Sequence, residues 1–447
     1  MSRSSLPITS DVIQAALGQY PLSESELSEF QTALSARHPS ALRLRREARA
    51  NDFPFPTDPV AWYSLGRSAV DAEIRPSRIV EYFAGDYYLQ DAGSMLALAV
   101  ADADTDSLNG KLICDLCAAP GGKASALLEA IGDTGFVLAN EPIRSRIAPL
   151  AFNLTRTGSD RYAISSQDPE ELADKLAGTF DFVLVDAPCS GQAMISRGGQ
   201  TVAALSAKQI QHSAARQQRI LDSAIRLLAP GGKLVYSTCT FTSAENESQI
   251  QRLIDSGIAE PEICKRVADH ESQALSGCYR LWPHRDQCAG SFAASVRKTD
   301  DDCESFAYRR KKESYRPPIS LDEYFVNLSD TRTWQNQNVL IAWPVDAPEW
   351  VEAIAVGGPE LLHRTGRTWK PAHGAALRRI DRAAPMQSVE VDRETAIRFY
   401  SGSPISVTER GWCAVKLNDR PLGWVKSNGS VGKNQLPGAA KPQGTIG

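Results

Sequence analysis

No apolar run in the chain approaches the ~18 residues needed to cross a bilayer as a helix. Residues 1–20 also lack the basic start and apolar stretch of a secretory leader. The expectation is a cytoplasmic protein without membrane contact. Surplus positive charge is missing too: 49 Lys and Arg stand against 53 Asp and Glu, a net charge of −4. That balance excludes wholesale coating of a nucleic acid and leaves only local basic patches for such contact. The cysteines, nine of them at 114, 117, 189, 239, 264, 278, 288, 303 and 413, are odd in number and scattered. A secreted disulfide framework is therefore excluded, and reduced thiols are left available for chemistry. Internal repeats and long low-complexity tracts are absent as well.

What remains is an ordinary globular composition, 42% hydrophobic and 23% charged, over 447 residues. Length gives a soft expectation of about three domains. Residues 1–79, expected to form an N-terminal RNA-binding region, mix helical segments with a Pro-rich stretch (53–59) and a basic run from Arg43 to Arg49. From about residue 80 to 308, short apolar runs alternate with helical segments. Lys111-Leu112-Ile113-Cys114-Asp115-Leu116, Gly135-Phe136-Val137-Leu138-Ala139-Asn140, Phe180-Asp181-Phe182-Val183-Leu184-Val185-Asp186 and Lys233-Leu234-Val235-Tyr236-Ser237 read as buried strands. Continuous apolar strands separated by helices imply a parallel sheet covered on both faces, a doubly wound α/β domain. Ile210, Ala214, Gln217, Ile220, Leu221, Ala224, Ile225 and Leu228 mark one face of a helix that Pro230-Gly231-Gly232 is expected to end. A charged linker (308–312, then Pro317-Pro318) separates this domain from a small, largely β module in 309–447.

The loop Asp115-Leu116-Cys117-Ala118-Ala119-Pro120-Gly121-Gly122-Lys123 lies between the first strand and a helix, where doubly wound sheets bind ligands. Its small residues let backbone approach a ligand closely. It is no P-loop, because Cys117 and Ala124 occupy the places of the required Gly and Ser or Thr, and G-x-G-x-x-G is missing. Cys114 falls inside the buried run and reads as a core thiol. Glu141, after the second strand, is placed to accept ribose hydroxyls. Asp168, after Tyr162-Ala163-Ile164-Ser165-Ser166, is placed to accept an adenine amino group. Each acid taken alone reads equally as a helix cap; in order, they favour a nucleoside-type cofactor.

Two cysteines follow two neighbouring strands, in Asp186-Ala187-Pro188-Cys189-Ser190-Gly191 and Ser237-Thr238-Cys239-Thr240. A lone cysteine at a strand end is usually a small core residue. Two of them beside Asp186, on the edge that carries the cofactor loop, suit methylation of an unactivated pyrimidine carbon. A thiolate adding to carbon 6 makes carbon 5 nucleophilic toward an electrophilic methyl group. Lys123 or a nearby helix N-terminus would lower the thiol pKa, and Asp186 would hydrogen-bond the base. Thr242-x-x-Glu245 looks like a capping box for the following helix. A zinc deaminase would need P-C-x-x-C and H-x-E; residue 192 is Gln and no His-x-Glu occurs, so no metal is expected. These residues alone do not choose between Cys189 and Cys239 as nucleophile.

The same residues, with Tyr88-Leu89-Gln90-Asp91-Ala92-Gly93-Ser94-Met95 and Arg280-Leu281-Trp282-Pro283-His284, resemble the Sun/Nop family of RNA (cytosine-5) methyltransferases. The resemblance implies a Rossmann-like domain using S-adenosyl-L-methionine, with Cys239 as nucleophile and Cys189 assisting product release. It implies a cofactor set of Cys117, Ala118, Ala119, Pro120, Gly121, Gly122, Lys123, Glu141, Arg146, Asp168 and Asp186. Gly93, Gly122 and Ala124 depart from the Ser, Ser and Thr common in the family, and Gln192-Ala193 is atypical. The tail, with Leu422-Gly423-Trp424-Val425-Lys426 and Gly432-Lys433-Asn434-Gln435-Leu436-Pro437, resembles the PUA-like RNA-binding module of the ribosomal-RNA branch. Independently, Arg364, Arg367, Trp369, Lys370, Arg378, Arg379 and Arg382 combine positive charge with an aromatic platform, as single-stranded RNA binding favours. The expectation is a monomer acting on ribosomal RNA. Transfer RNA as substrate, or an idle ribosome-assembly factor, are the alternatives.

Overall fold

The computed structural model describes residues 9–18, 20, 22–48, 55–71, 74–299, 317, 319–442, 444 and 446. Arg49 of the basic run, residues 53 and 54 of the Pro-rich stretch, and residues 308–312 and 318 of the linker lie outside these. The central element is an eight-stranded sheet. Its order is Ala259–Pro261, Ser291–Lys298, Leu228–Thr238, Phe180–Asp186, Leu112–Asp115, Phe136–Asn140, Tyr162–Ser165, with Cys278–Leu281 also pairing to Ser291–Lys298. The five strands from Leu228–Thr238 to Tyr162–Ser165 are mutually parallel, and the others are antiparallel additions. Strand periodicity sends alternate residues to opposite faces. Ile113, Val137, Leu184 and Val235 enter one apolar cluster, while Cys114, Leu138, Val183 and Leu234 enter the other. Helices cover both, so the strands need no polar face. Leu112–Asp115 pairs on one side with Phe136–Asn140 and on the other with Phe180–Asp186. Its carboxyl end is thus the point where the chain reverses its winding, and a crevice opens there.

The helix before the fifth parallel strand is Ala207–Leu227, opened by Ser206, whose hydroxyl accepts from the Gln209 N–H. It ends before Pro230-Gly231-Gly232. Leu228 is already extended (φ −70°, ψ 135°) and pairs with Phe180, so the Pro-Gly-Gly lies within the strand Leu228–Thr238. Leu228 is buried either way, and its apolar character does not distinguish the last turn of a helix from the first residue of a buried strand.

In the N-terminal region, Ser10–Leu17 and Glu24–Ser35 are helices and a four-stranded antiparallel sheet follows. Phe30 and Leu34 pack with Phe241 and Trp282, against the loop that carries Cys239. The basic run is partly turned inward. Arg43 is buried between Glu129 (2.9 Å) and the Ser125 hydroxyl (2.8 Å), and Arg45 donates to the Thr157 carbonyl (2.8 Å).

The C-terminal part comprises two main sheets. Thr331–Asn336, Val339–Pro344, Glu360–Thr365 and Thr368–Pro371 form an antiparallel meander, and a five-stranded sheet spans Ser388–Glu390 to Val431–Asn434. The meander packs onto the central core. Trp343 is fully buried among residues of the central sheet and donates to the Tyr162 carbonyl (2.7 Å), while Ile164 bonds Gly357. Three of the seven residues expected in an RNA-facing patch are used in this junction. Arg382 pairs with Asp160 at 2.7 Å, Arg378 with the same carboxylate at 3.6 Å, and Arg379 donates to the Ala84 carbonyl. Arg378 and Asp160 are almost wholly buried. A run of arginines therefore acts as an interdomain clamp, and only Arg364, Arg367, Trp369 and Lys370 remain on the outward hairpin. Removing Asp160 would strand Arg378 as an unpaired buried cation. We expect Asp160→Ala to cost about 3–5 kcal/mol, read as an earlier transition in thermal unfolding; a loss below about 1 kcal/mol would contradict this account.

Candidate active site

At the carboxyl edge of the sheet a pocket of about 280 Å3 is lined from five stretches of sequence. The segment before the sheet gives Tyr88, Gln90, Asp91 and Ser94. The first strand and its loop give Asp115, Cys117, Ala118, Ala119, Pro120, Gly122 and Lys123. The remaining wall comes from Asp186, Ala187, Thr238, Cys239 and Ser291 among others. Register explains the convergence, since Asp115 stands opposite Leu184, Asp186 opposite Ser237, and Thr238 opposite Phe292.

The glycine loop is shaped by backbone demands. Gly121 has φ +108° and opens the helix Gly122–Ala130; a Cβ there would lie 3.1 Å from Asn153. At Gly122 a Cβ would meet the Tyr88 ring at 3.0 Å, and at Gly93 it would meet Asp91 Oδ1 at 2.8 Å. A side chain at either position would press on Tyr88 or Asp91. The Ala119–Pro120 bond is cis. Asn153 and Arg146 hold this loop from outside, donating to the carbonyls of Pro120 (2.7 Å) and Ala119 (2.6 Å).

Lys123 Nζ sits 2.7 Å from Asp186 and 3.0 Å from the Ser94 hydroxyl. The Ser237 hydroxyl donates to the other Asp186 oxygen at 2.7 Å. The lysine charge is therefore directed at a carboxylate rather than at a thiol. Asp115 is buried with neither oxygen completing a hydrogen bond. Burial, and then the Asp186 charge, push its carboxyl pKa up to about 8, with Lys123 opposing. Glu141 is buried, bound by the Ile143 N–H (2.9 Å) and by Arg146 (3.0 Å).

The two thiols lie with Sγ atoms 3.1 Å apart. Cys239 lines the pocket and Cys189 does not. Contact with Cys239, then burial, raises the Cys189 pKa well above that of an ordinary thiol. Polar cross-ties hold both loops. Ala193 N–H bonds the Cys239 carbonyl (3.0 Å), the Ser190 and Thr240 hydroxyls meet at 3.0 Å, and Gln192 accepts from the Phe241 N–H (2.9 Å). The atypical Gln192 is thus a buried tie between the loops. Glu245 does not form a capping box. It accepts from the Ser190 N–H (2.8 Å) and from Gln217 (3.0 Å), and the Thr242 side chain makes no cap. The Ser190 N–H, a buried backbone donor in the Pro-Cys loop, takes this carboxylate in place of the helix end at Thr242. Arg280 pairs with Glu247 and donates to the Phe241 carbonyl, and Trp282 stacks on Phe241 at 5.7 Å; the Arg-Leu-Trp-Pro-His segment braces the Cys239 loop from behind.

Of the residues singled out from sequence, the pocket gathers Cys117, Ala118, Ala119, Pro120, Gly122, Lys123, Asp186 and Cys239. Gly121, Glu141, Arg146, Asp168 and Cys189 lie outside its lining, and exposed Asp168 caps the helix Pro169–Leu176 through the Glu170 N–H (3.0 Å). Sequence reasoning passed over Asn140, whose amide ties the Leu116 and Gln167 carbonyls and accepts from Ser165 and the Gln167 N–H, fixing three strand ends. It also passed over Gln217 as a loop brace, although a polar residue on an apolar helix face was the available signal.

Residues 103–297 match the family described as 16S rRNA methyltransferase RsmB/F, and residues 386–440 match the methyltransferase RsmF PUA domain. Proteins named ribosomal RNA small subunit methyltransferase F are similar over most of their length. The one from Klebsiella pneumoniae (strain 342) is 30% identical, covering 85% of this chain and 83% of the relative. The one from Erwinia tasmaniensis is 28% identical, covering 92% and 93%. Two solved structures from Pyrococcus horikoshii share the fold. A methyltransferase homolog protein has a TM-score of 0.53 at 24% identity, covering 65% of this chain and all of that one. NSun6 with SFG has 0.52 at 18%, covering 62% and 95%.

The Asp115 carboxyl has a measurable consequence. Its folded pKa of about 8 lies above the ~3.9 of an unfolded aspartate, so the native state holds the proton more tightly. The associated stability is complete below about pH 4 and is lost as pH rises through 8. We expect the melting temperature of the free protein to fall between about pH 5 and 8, and Asp115→Asn to flatten that fall. Parallel profiles would refute the assignment.

Proposed function

The chain belongs to the 16S rRNA methyltransferase RsmB/F family, and from that premise we propose that it methylates carbon 5 of a cytidine in small-subunit ribosomal RNA through a transient bond to Cys239. The observation that carries the reading is the position of Cys239. Its thiol lines the same pocket as the glycine loop, Lys123 and Asp186, whereas Cys189 lies behind it. S-adenosyl-L-methionine, when bound, supplies the electrophilic methyl group. The residues present fit it: Asp115 offers a buried carboxyl without a partner, and Gly122 and the alanines allow close backbone approach. Glu141 and Asp168 are proposed for the adenosine end, at the carboxyl ends of two neighbouring strands.

In this scheme Cys239 Sγ adds to carbon 6 of the cytosine. As the bond forms, the thiol proton passes to the ring nitrogen, and Asp186, oriented by Lys123 and Ser237, accepts hydrogen bonds from that N–H and from the amino group. Carbon 5 then takes the methyl group. Water in the pocket takes the carbon 5 proton, the freed electron pair re-forms the C5–C6 double bond, and the Cys239 sulfur leaves as a thiolate that recovers its proton from the ring nitrogen. Cys189, 3.1 Å away, is proposed to assist that departure.

Bisulfite sequencing of ribosomal RNA from a deletion strain should show the loss of at least one methylated cytidine; an unchanged set would reject the activity. Cys239→Ala should lower turnover by roughly 10^3-fold or more. Cys189→Ala should leave a protein–RNA adduct that survives a denaturing gel. Adduct from Cys239→Ala and none from Cys189→Ala would reverse the two roles.

A further inference from the structure

A second cavity, of about 420 Å3, opens where three parts of the chain meet. Arg78 and Tyr82 come from the segment before the central sheet, Phe152 and Arg156 from the helix Ile147–Thr155 and the residue after it, and Tyr400 and Lys441 from the C-terminal sheet region. Among the described residues lining it there is no Asp or Glu. In a chain of net charge −4, three cations around a cavity without a carboxylate select an anion. Arg78 and Lys441 are exposed at the rim. The aromatic content selects further. The Arg156 guanidinium lies 4.6 Å from the centre of the Tyr82 ring, and the Phe152 and Tyr400 rings line the same space. Aromatic faces beside cations are the surface on which nucleobases stack.

Two polar groups in the wall have no partner. Tyr400 is 2% exposed and its hydroxyl makes no hydrogen bond, and Nδ1 of His373 is likewise buried and unpaired. Burial keeps that imidazole neutral, so it can serve the edge of an uncharged ring. Buried polar groups are nearly always satisfied, and the edge of a base supplies what both lack. The cavity is also close to the catalytic pocket. Within the helix Ile147–Thr155, Asn153 bonds the Pro120 carbonyl of the cofactor loop, and its neighbour Phe152 faces the second cavity.

We propose that this cavity takes one unpaired nucleotide of the substrate RNA, its base between the partly exposed rings of Tyr82 and Phe152, its edge toward the Tyr400 hydroxyl, and its phosphate against Arg78 and Lys441. The inference rests on the reading that the substrate is RNA, and it adds a recognition point one helix away from the methylated base. A nucleotide held there fixes the register of the strand entering the catalytic pocket.

The full chain is assayed for methylation of small ribosomal subunits from the deletion strain. The double variant Arg78→Ala/Lys441→Ala should raise the KM for subunits about 10-fold and flatten the salt dependence of binding by one to two powers of salt concentration. Tyr400→Phe should raise KM about threefold with an unchanged melting temperature. With 4-thiouridine-substituted RNA, photocrosslinks should map to peptides containing Tyr82 or Phe152. KM changes below twofold in both variants, with crosslinks elsewhere, would overturn the proposal. Saturation by free AMP, CMP, GMP or UMP, lost in the double variant but without RNA crosslinks, would overturn it in favour of a free nucleotide. Wild-type protein inactive on all RNA would instead reject the underlying function.

Discussion

The ion pair between Lys123 and Asp186 joins the two halves of the site. Parallel strands in register bring three carboxyl groups, Asp115, Glu141 and Asp186, to one edge of the sheet, and like charges so arranged resist ionisation together. The fold meets this crowding differently at each position. Asp186 is neutralised by Lys123 from the cofactor loop, Glu141 by Arg146, and Asp115 by a raised pKa that retains its proton. Because Lys123 lies in the first turn of the helix after one strand and Asp186 ends another strand, their 2.7 Å contact also fixes the distance between the glycine loop and the loop bearing Cys189. Replacing the lysine would release a carboxylate charge beside Asp115 as well as loosen the pocket wall.

The thiol pair needs similar constraint. In the proposed reaction the nucleophile and its assisting group stay in contact while a base enters beside one of them, so neither loop can drift. Glu245, Gln217 and Gln192 supply that constraint as buried polar ties, each engaging backbone of one cysteine loop or of a residue close to it. Such ties are strong in a low-dielectric interior because leaving them unmade is costly. The bracing continues outward through Arg280 and Glu247 to Trp282 and Phe30 of the N-terminal helices. The N-terminal region is therefore part of what holds Cys239 in place.

Much of this was legible in the sequence, for physical reasons that can be stated. Strands buried on both faces are continuous apolar runs, so residues 180–186 and 233–237 declared themselves, and a strand end followed by small residues marked the glycine loop that lines the pocket. The motifs after those strands located Lys123, Asp186 and Cys239, because in a doubly wound sheet adjacency of strands dictates adjacency of the loops that follow. Charge was less legible. A run of arginines reads the same whether it faces phosphate or a buried carboxylate, and Arg378, Arg379 and Arg382 proved to face Asp160 and the Ala84 carbonyl. Glu245 has the spacing of a cap, yet a distant backbone donor claims it. In each case the deciding partner lies more than fifty residues away in sequence, beyond what local spacing encodes.

The clamp at Asp160 also bears on how the RNA-binding module can act. A module on a loose tether recruits its ligand by raising local concentration, and the linker length sets the gain. Here the tail is docked. Trp343 bonds the edge strand of the central sheet, Gly357 extends that edge, and Arg378 and Arg382 grip one buried carboxylate. A docked module presents its surface at a fixed distance and angle from Cys239, so it can act as a ruler as well as an anchor. On the proposed function, fixed geometry between the two surfaces adds to base contacts in selecting one site in a large, structured substrate.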